Sequence, residues 1–294
     1  LITPSGMTFA SPRDLGATWF IGLDYKGALE MIDHYEEGDI CVTNDPYSGF
    51  VCTHTPDMHI WKPIFWEGEI IAFGGRIIDQ GEPKYLNSPE TPLFEKGREL
   101  FGLPQARQAL RETDTAIVTE GYMDVIALSQ NGVGNAVATL GTATTATHVT
   151  KLLRQVDRIV FCFDGDNAGR KAAWRALENS LEALADNKRL GFIFLPQEDD
   201  PDSYIRAHGK TEFDRLVAQA MPLSDFLLRE LAQRCDLTSS EGKAQLIYEA
   251  KPLLLKLPTP LLRLQLVKRL AEASGFAQAE VERLAVIDLI LDPV

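Results

Sequence analysis

The chain has 294 residues, 45% apolar and 24% charged, an ordinary composition for a soluble globular protein with room for two domains or for one with a helical appendage. Its net charge of −13 argues against a broad electrostatic clamp on nucleic acid. Residues 1–70 are the most acidic part, with 3 Lys and Arg against 11 Asp and Glu. No apolar run reaches the length of a membrane span and no basic-then-apolar leader opens the chain.

The chain opens on Leu1, which fits a fragment or a frame that began upstream. Cys41, Cys52, Cys162 and Cys235 lie far apart with no C-x-x-C pair, so zinc ribbon and redox motif are both absent. Reduced thiols of a cytoplasmic protein are the expectation. Tyr25–Tyr35 has helical spacing, Asp39–Thr43 reads as a short strand, and Asn44–Gly49 is dense in turn formers. In the polar stretch that follows, His54, Asp57 and His59 could ligate a metal; the alternative is a loop whose histidines make ordinary hydrogen bonds. Glu69–Phe73 is the next strand. Leu93–Leu103 is a looser stretch, and Pro104–Arg111 a short helix with Pro at its start.

Strands and helices then alternate. Strand Thr115–Thr119 leads to helix Gly121–Gln130, and strand Ala136–Leu140 to helix Thr145–Gln155. Strand Arg158–Phe163 leads to helix Ala168–Leu184, and strand Leu190–Leu195 closes the series. This order predicts an α/β fold, an open parallel sheet with helices on both faces. Beyond Met221 the helices Leu223–Cys235, Glu241–Leu257, Pro260–Ser274 and Gln278–Leu284 predict a small bundle, with a break at Pro252. Gly132-Val-Gly134 precedes a strand, so it is not a dinucleotide fingerprint, and no phosphate-cradling G-x-x-x-x-G-K-[ST] run occurs.

Three of these strands end in acid. Glu120 and Asp124 follow the first, Asp164 and Asp166 the third, and Asp199, Asp200 and Asp202 the fourth. Strand ends of a parallel sheet share one edge, so these carboxylates should converge on one mouth. Crowded carboxylates repel and are costly to desolvate unless a cation sits among them, and hard oxygen donors suit Mg²⁺ or Mn²⁺. Each residue also has a plainer role to set beside this one: a helix-start acid for Glu120, a solvated turn for Asp-Gly-Asp, flanking charge for Asp199. Asp124 lies one turn past Glu120 on the same helix face. Arg170 and Lys171 either offset the Asp-Gly-Asp charge or touch a phosphate, and Tyr122 reads as packing.

Two resemblances divide the chain. Glu37-Gly-Asp-Ile-Cys-Val-Thr-Asn-Asp-Pro-Tyr-Ser-Gly49 and Thr53-His-Thr-Pro-Asp57 resemble the amino-terminal part of the hydantoinase B family, relatives of the acetone carboxylase large subunit. That family's metal site would use His54 and Asp57 with further histidines downstream. Gly74–Asp79 holds none, so the site is expected to be incomplete. From about residue 71 the chain is similar to the bacterial replicative DNA primase family. Gly74-Gly-Arg76, Pro83–Thr91, Glu120-Gly-Tyr-Met-Asp124, Asp164-Gly-Asp-Asn-Ala-Gly-Arg170 and Asp200-Pro-Asp202 carry that likeness.

The second resemblance implies a Toprim-type core, proper to about residues 114–203, that makes RNA primers from nucleoside triphosphates on single-stranded DNA. It implies catalytic roles for Glu120, Asp164 and Asp166. It also implies two Mg²⁺ or Mn²⁺ ions held by Glu120, Asp124, Asp164, Asp166, Asp200 and Asp202. Arg76, Lys84 and Asn87 are the implied nucleotide contacts. A replicative helicase is the family's partner, but no helicase-binding module is expected here. The whole then reads as a chimera: an α+β fragment over 1–70, a catalytic core over 71–222 and a helical subdomain over 223–294. Template binding and priming are expected to be impaired, with metal binding retained.

Overall fold

In a computed structural model, the structure describes residues 26–36, 39, 41–43, 59–66, 69–77, 85–87, 90 and 94–286. The chain divides into two compact units: residues 1–105 with 139–142, and residues 106–138 with 143–294. The first unit holds α1 (Lys26–Glu30) and an antiparallel meander of β1 (Cys41–Thr43), β2 (His59–Trp66), β3 (Glu69–Ile77) and β4 (Tyr85–Asn87). The expected boundary after residue 70 falls inside β3, and β1 pairs with β2 through Cys41↔Trp61 and Thr43↔His59. His54 and Asp57 lie outside the described residues, and His59 opens β2.

The second unit is built on five strands in the order β6-β5-β7-β8-β9: β5 (Thr115–Thr119), β6 (Ala136–Ala138), β7 (Arg158–Phe163), β8 (Arg189–Phe194) and β9 (Met221–Pro222). The four expected strands are parallel, with β6 ending two residues sooner than read. The fifth, β9, is an antiparallel edge strand paired through Gly191↔Pro222 and Phe192↔Met221, so the sheet is mixed and mostly parallel. All of β5 and β6, all but the first residue of β7 and the four central residues of β8 are buried, as an apolar sheet covered on both faces requires.

The helices follow from right-handed crossovers. The chain steps from β5 out to β6 through α3 (Tyr122–Gln130), then back past β5 to β7 through α4 (Ala146–Leu153). This reversal puts α3 on one face and α4 on the other, with α5 (Asn167–Ser180) beside α4 on the way to β8. The 18-residue α6 (Pro201–Ala218), unassigned in the sequence, packs against α3 and is kinked at Gly209, where φ is 74°. α2 (Leu103–Thr113) is the helix expected after Pro104.

Beyond β9 come α7 (Leu223–Arg234), α8 (Ser240–Lys256), α9 (Pro260–Ser274) and α10 (Gln278–Val286). Phe226 of α7 is fully buried against Phe192 and Phe194 of β8, at ring separations of 4.7 and 4.9 Å. The break expected at Pro252 does not occur, and α8 runs through it. Pro252 and Tyr248, whose carbonyl loses the helical bond, are both exposed, so water can serve that oxygen. Buried Ala250, Leu253 and Leu254 hold the two halves in line.

Candidate active site at the carboxyl edge of the sheet

The strand order reverses between β5 and β7, and a crevice opens at the carboxyl ends of strands at such a point. Glu120 directly follows β5, and Asp164 directly follows β7. Asp199–Asp202 follow β8 after a short turn. The topology thus delivers all three acidic segments to one edge.

Backbone contacts lock two of the segments together. The Gly165 N–H donates to the Asp199 carbonyl at 3.0 Å, and the Asp199 N–H to the Pro196 carbonyl at 3.0 Å. A Cβ on Gly165 would stand 1.8 Å from the Pro196 oxygen, and one on Gly169 would stand 2.1 Å from the Asp164 oxygen. Both positions admit only hydrogen. The glycine of Asp-Gly-Asp is there for close approach, because the loop after β7 lies against the loop after β8.

Several carboxylates serve the helices that start at this edge. Asp166 caps α5, accepting from the Gly169 N–H at 2.7 Å, and Asp200 caps α6, accepting from the Ser203 N–H at 2.7 Å. Asp124 accepts from the Gly121 N–H at 3.1 Å at the start of α3. Asp202 is paired with Arg206, and Asp199 accepts from the Ser203 hydroxyl at 2.9 Å. Asp124, Asp166, Asp199, Asp200 and Asp202 thus each have a local structural partner.

The electrostatics show convergence. Asp124 is buried, and its carboxyl is raised to about 7, first by burial and then by the negative charges of Asp164 and Asp200, with Asp202 adding and the Gly121 N–H opposing. Glu120 keeps solvent access yet is crowded by protein. That desolvation, followed by Asp164 and Asp166, raises it to about 7. Acids from both of the other loops thus act on Asp124. Burial, then Asp124 and Asp164, push the Cys162 thiol up, which leaves it an inert packing group.

Clustered oxygen donors of like charge, with Glu120 and Asp124 raised by burial and by their neighbours, fit a hard divalent cation in kind. Among the described residues, however, no group of three or more His, Cys, Asp or Glu side chains is arranged to hold one. The caps and the Asp202–Arg206 pair account for this, since they turn individual carboxylates onto local partners.

The folded state binds Asp124's proton up to about pH 7, whereas an unfolded aspartate loses it near 4. Without divalent ions, stability should therefore fall as pH rises through that window. Asp124→Asn, which keeps a cap acceptor, should be more stable than the parent by on the order of 2 kcal/mol at pH 8 and about equal to it below pH 4. Thermal unfolding in chelator at both pH values measures this.

Of the sequence-predicted nucleotide contacts, Arg76 lies in β3 paired with Tyr85, and Asn87 in β4 paired with Gly74. Lys84 lies outside the described residues. Arg170 stands 3.5 Å from Glu230 and over the Phe194 ring at 5.6 Å, an arrangement neither sequence alternative anticipated. Tyr122 is buried, in keeping with packing.

Comparison with known proteins agrees with this architecture. A family described as Toprim-like matches residues 117–205, and the N-terminal domain of the DNA primase catalytic core matches residues 59–107. A DNA primase domain from Pseudomonas aeruginosa is 52% identical with a TM-score of 0.73, covering 77% of this chain and 71% of its own. The chain belongs to the bacterial DnaG-type DNA primase family.

Another structural relative, the DnaG primase catalytic domain bound to single-stranded DNA, is 45% identical with a TM-score of 0.70, covering 76% of this chain and 71% of that one. The DNA primase of Neisseria meningitidis serogroup A is 56% identical over 209 residues, which are 71% of this chain and 35% of the relative; that of Escherichia coli K12 is 47% identical over 218 residues, 74% and 38%. The chain thus spans little more than a third of the length of these curated primases.

Two further matches bear on the sequence reading. Residues 224–279 match the DnaB-helicase binding domain of primase, which overturns the expectation that no such module follows the core. Wide apolar stripes mark α7–α10 as a bundle without distinguishing its kind. Residues 13–81 match hydantoinase B/oxoprolinase weakly, overlapping the primase match across β2 and β3.

Proposed function

We infer that the chain carries the catalytic core of a primase-type nucleotidyltransferase, joining nucleoside triphosphates into short RNA primers on single-stranded DNA. The observation that carries this reading is the meeting of three acidic loops at the β5/β7 switch point, strongly enough for Asp164 to raise both Glu120 and Asp124. Glu120, with a carboxyl near 7, can take or give a proton at the attacking or leaving oxygen at neutral pH. Asp124, Asp164, Asp166, Asp200 and Asp202, with Glu120, would hold two Mg²⁺ or Mn²⁺ ions. Once bound, such ions polarise the phosphoryl group and stabilise the charge of an in-line displacement. Gly165 and Gly169 keep the loops close enough for the carboxylates to act together. Arg76, Lys84 and Asn87 are the proposed triphosphate contacts.

The relative bound to single-stranded DNA supports such a template, and the match over residues 224–279 supports a replicative helicase as partner. The acidic front segment argues for weak template retention and reduced priming. No described helix is long and apolar enough to cross a membrane. The test is incubation with a single-stranded template, labelled nucleoside triphosphates and Mn²⁺, with hydantoin and oxoproline as parallel substrates. Template-dependent RNA supports the proposal. Turnover of the cyclic amides without RNA would favour the second reading, an amide-ring hydrolase, for which the match over residues 13–81 speaks.

A further inference from the structure

On a chain with a net charge of −13, a surface where cations outnumber acids is informative. One lies on α5, whose amino-terminal cap is Asp166 of the acidic edge. Lys171 and Arg175 are one turn apart and exposed, and neither has an ion pair or hydrogen bond among the described residues. Beside them Arg170 and Trp174 face α7. Arg234 of α7 lays its guanidinium over the Trp174 ring at 4.1 Å while remaining exposed. Arg229 lies over Phe194 at 4.8 Å.

Holding α7 against α5 explains part of this cluster. Glu230 stands 3.5 Å from Arg170 and 3.8 Å from Arg229, so one carboxylate serves two guanidiniums. That account leaves Lys171, Arg175 and Arg234 over. Among the described residues these three touch no acid, and one of them is stacked on an indole. Cations in a row beside an aromatic face have the makings of a surface for single-stranded nucleic acid, with phosphates meeting the charges and a base meeting the stack. A strip this narrow is also compatible with a protein too acidic for a broad clamp.

We propose that the α5–α7 strip is a track for single-stranded nucleic acid passing the acidic edge, with Lys171, Arg175 and Arg234 on the phosphates and the Arg234–Trp174 stack on a base. The assignment of the strand as template or product rests on the primase-type reading; the binding itself does not. DNA template and RNA product share this chemistry, so the experiment carries both.

Binding of labelled oligo-dT and oligo-U of equal length to the full chain is followed by fluorescence anisotropy across a salt series. Replacing Lys171, Arg175 and Arg234 together by alanine should weaken binding at least about fivefold at low salt. It should also shrink the log–log salt slope by about 2, at roughly 0.7 per phosphate contact on a single strand. A larger loss for oligo-U assigns the product strand, a larger loss for oligo-dT the template, and equal losses both. Lys171→Ala with Arg175→Ala, both on open surface, should lower the slope by about 1 even if Arg234 proves structural. Unchanged affinity and slope in both variants overturns the proposal, as does failure of the parent chain to bind either strand at low salt. Variant-sensitive binding without any primer synthesis would instead overturn the catalytic reading and leave the track standing.

Discussion

Asp164→Ala should lower template-directed primer synthesis by at least about 1,000-fold while leaving the unfolding temperature close to that of the parent chain. Asp164 sits at the end of β7 beside the point where strand order reverses, and its charge is felt by Glu120 and by Asp124. Its side chain is exposed, so truncation leaves no cavity. The same substitution should move the Glu120 carboxyl down from about 7, shifting the acid limb of any residual activity to lower pH. Asp166→Asn makes an informative companion. It keeps an acceptor for the Gly169 N–H and removes only the charge, so lost synthesis with an intact α5 separates chemistry from capping. Quantifying labelled product alongside thermal unfolding distinguishes the two.

Gly165→Ala should be the most damaging small substitution in the described part of the edge. The new methyl would meet the Pro196 carbonyl oxygen at 1.8 Å, and that oxygen belongs to backbone that cannot swing aside as a side-chain tip would. Relief requires the two loops to part, breaking the Gly165-to-Asp199 hydrogen bond. The expected loss is on the order of 3 kcal/mol, a fall in Tm of roughly 6–12 °C. Activity should fall as well, because Asp164 and Asp166 would move away from Asp200. Gly209→Ala is a useful contrast: at φ 74° and ψ 173° it lies in a region essentially reserved for glycine but has open space around it, so it should cost only the strain of its backbone, about 2 kcal/mol, without parting the loops. Thermal unfolding of both variants, with the priming assay on each, gives the ranking. If Gly165→Ala were as stable and active as the parent, the two loops would not be locked together as described.

The parallel strands were legible because Thr115–Thr119, Arg158–Phe163 and Arg189–Phe194 are apolar runs ending in acid, and a strand buried on both faces needs a continuous run. The convergence of Glu120, Asp124 and Asp164 followed from topology alone. Other features were hidden by residues that do two jobs. Asp200-Pro201 has an ordinary helix-start signature, an N-cap followed by Pro at the first turn, but as part of an acidic cluster it read as a metal site, and α6 went unassigned. Gly209 then divides that helix, which dilutes its periodicity. β9 is two residues long, too short to leave a pattern. Pro252 signals a break only where the lost bond is buried, and here it faces water. The helicase-binding match over residues 224–279 has no local signature beyond amphipathic helices, and Gly165's steric role depends on a carbonyl 31 residues away in sequence.

The central claim is that carboxylates from three separate loops act as one cation-binding set. Isothermal calorimetry of Mn²⁺ binding to the parent chain and to Asp164→Ala tests it most directly. Saturable uptake by the parent, severely weakened in the variant and accompanied by proton release from Glu120 and Asp124 near pH 6, is the predicted result. Folded protein that takes up no manganese, or a variant that takes it up as well as the parent, would contradict it.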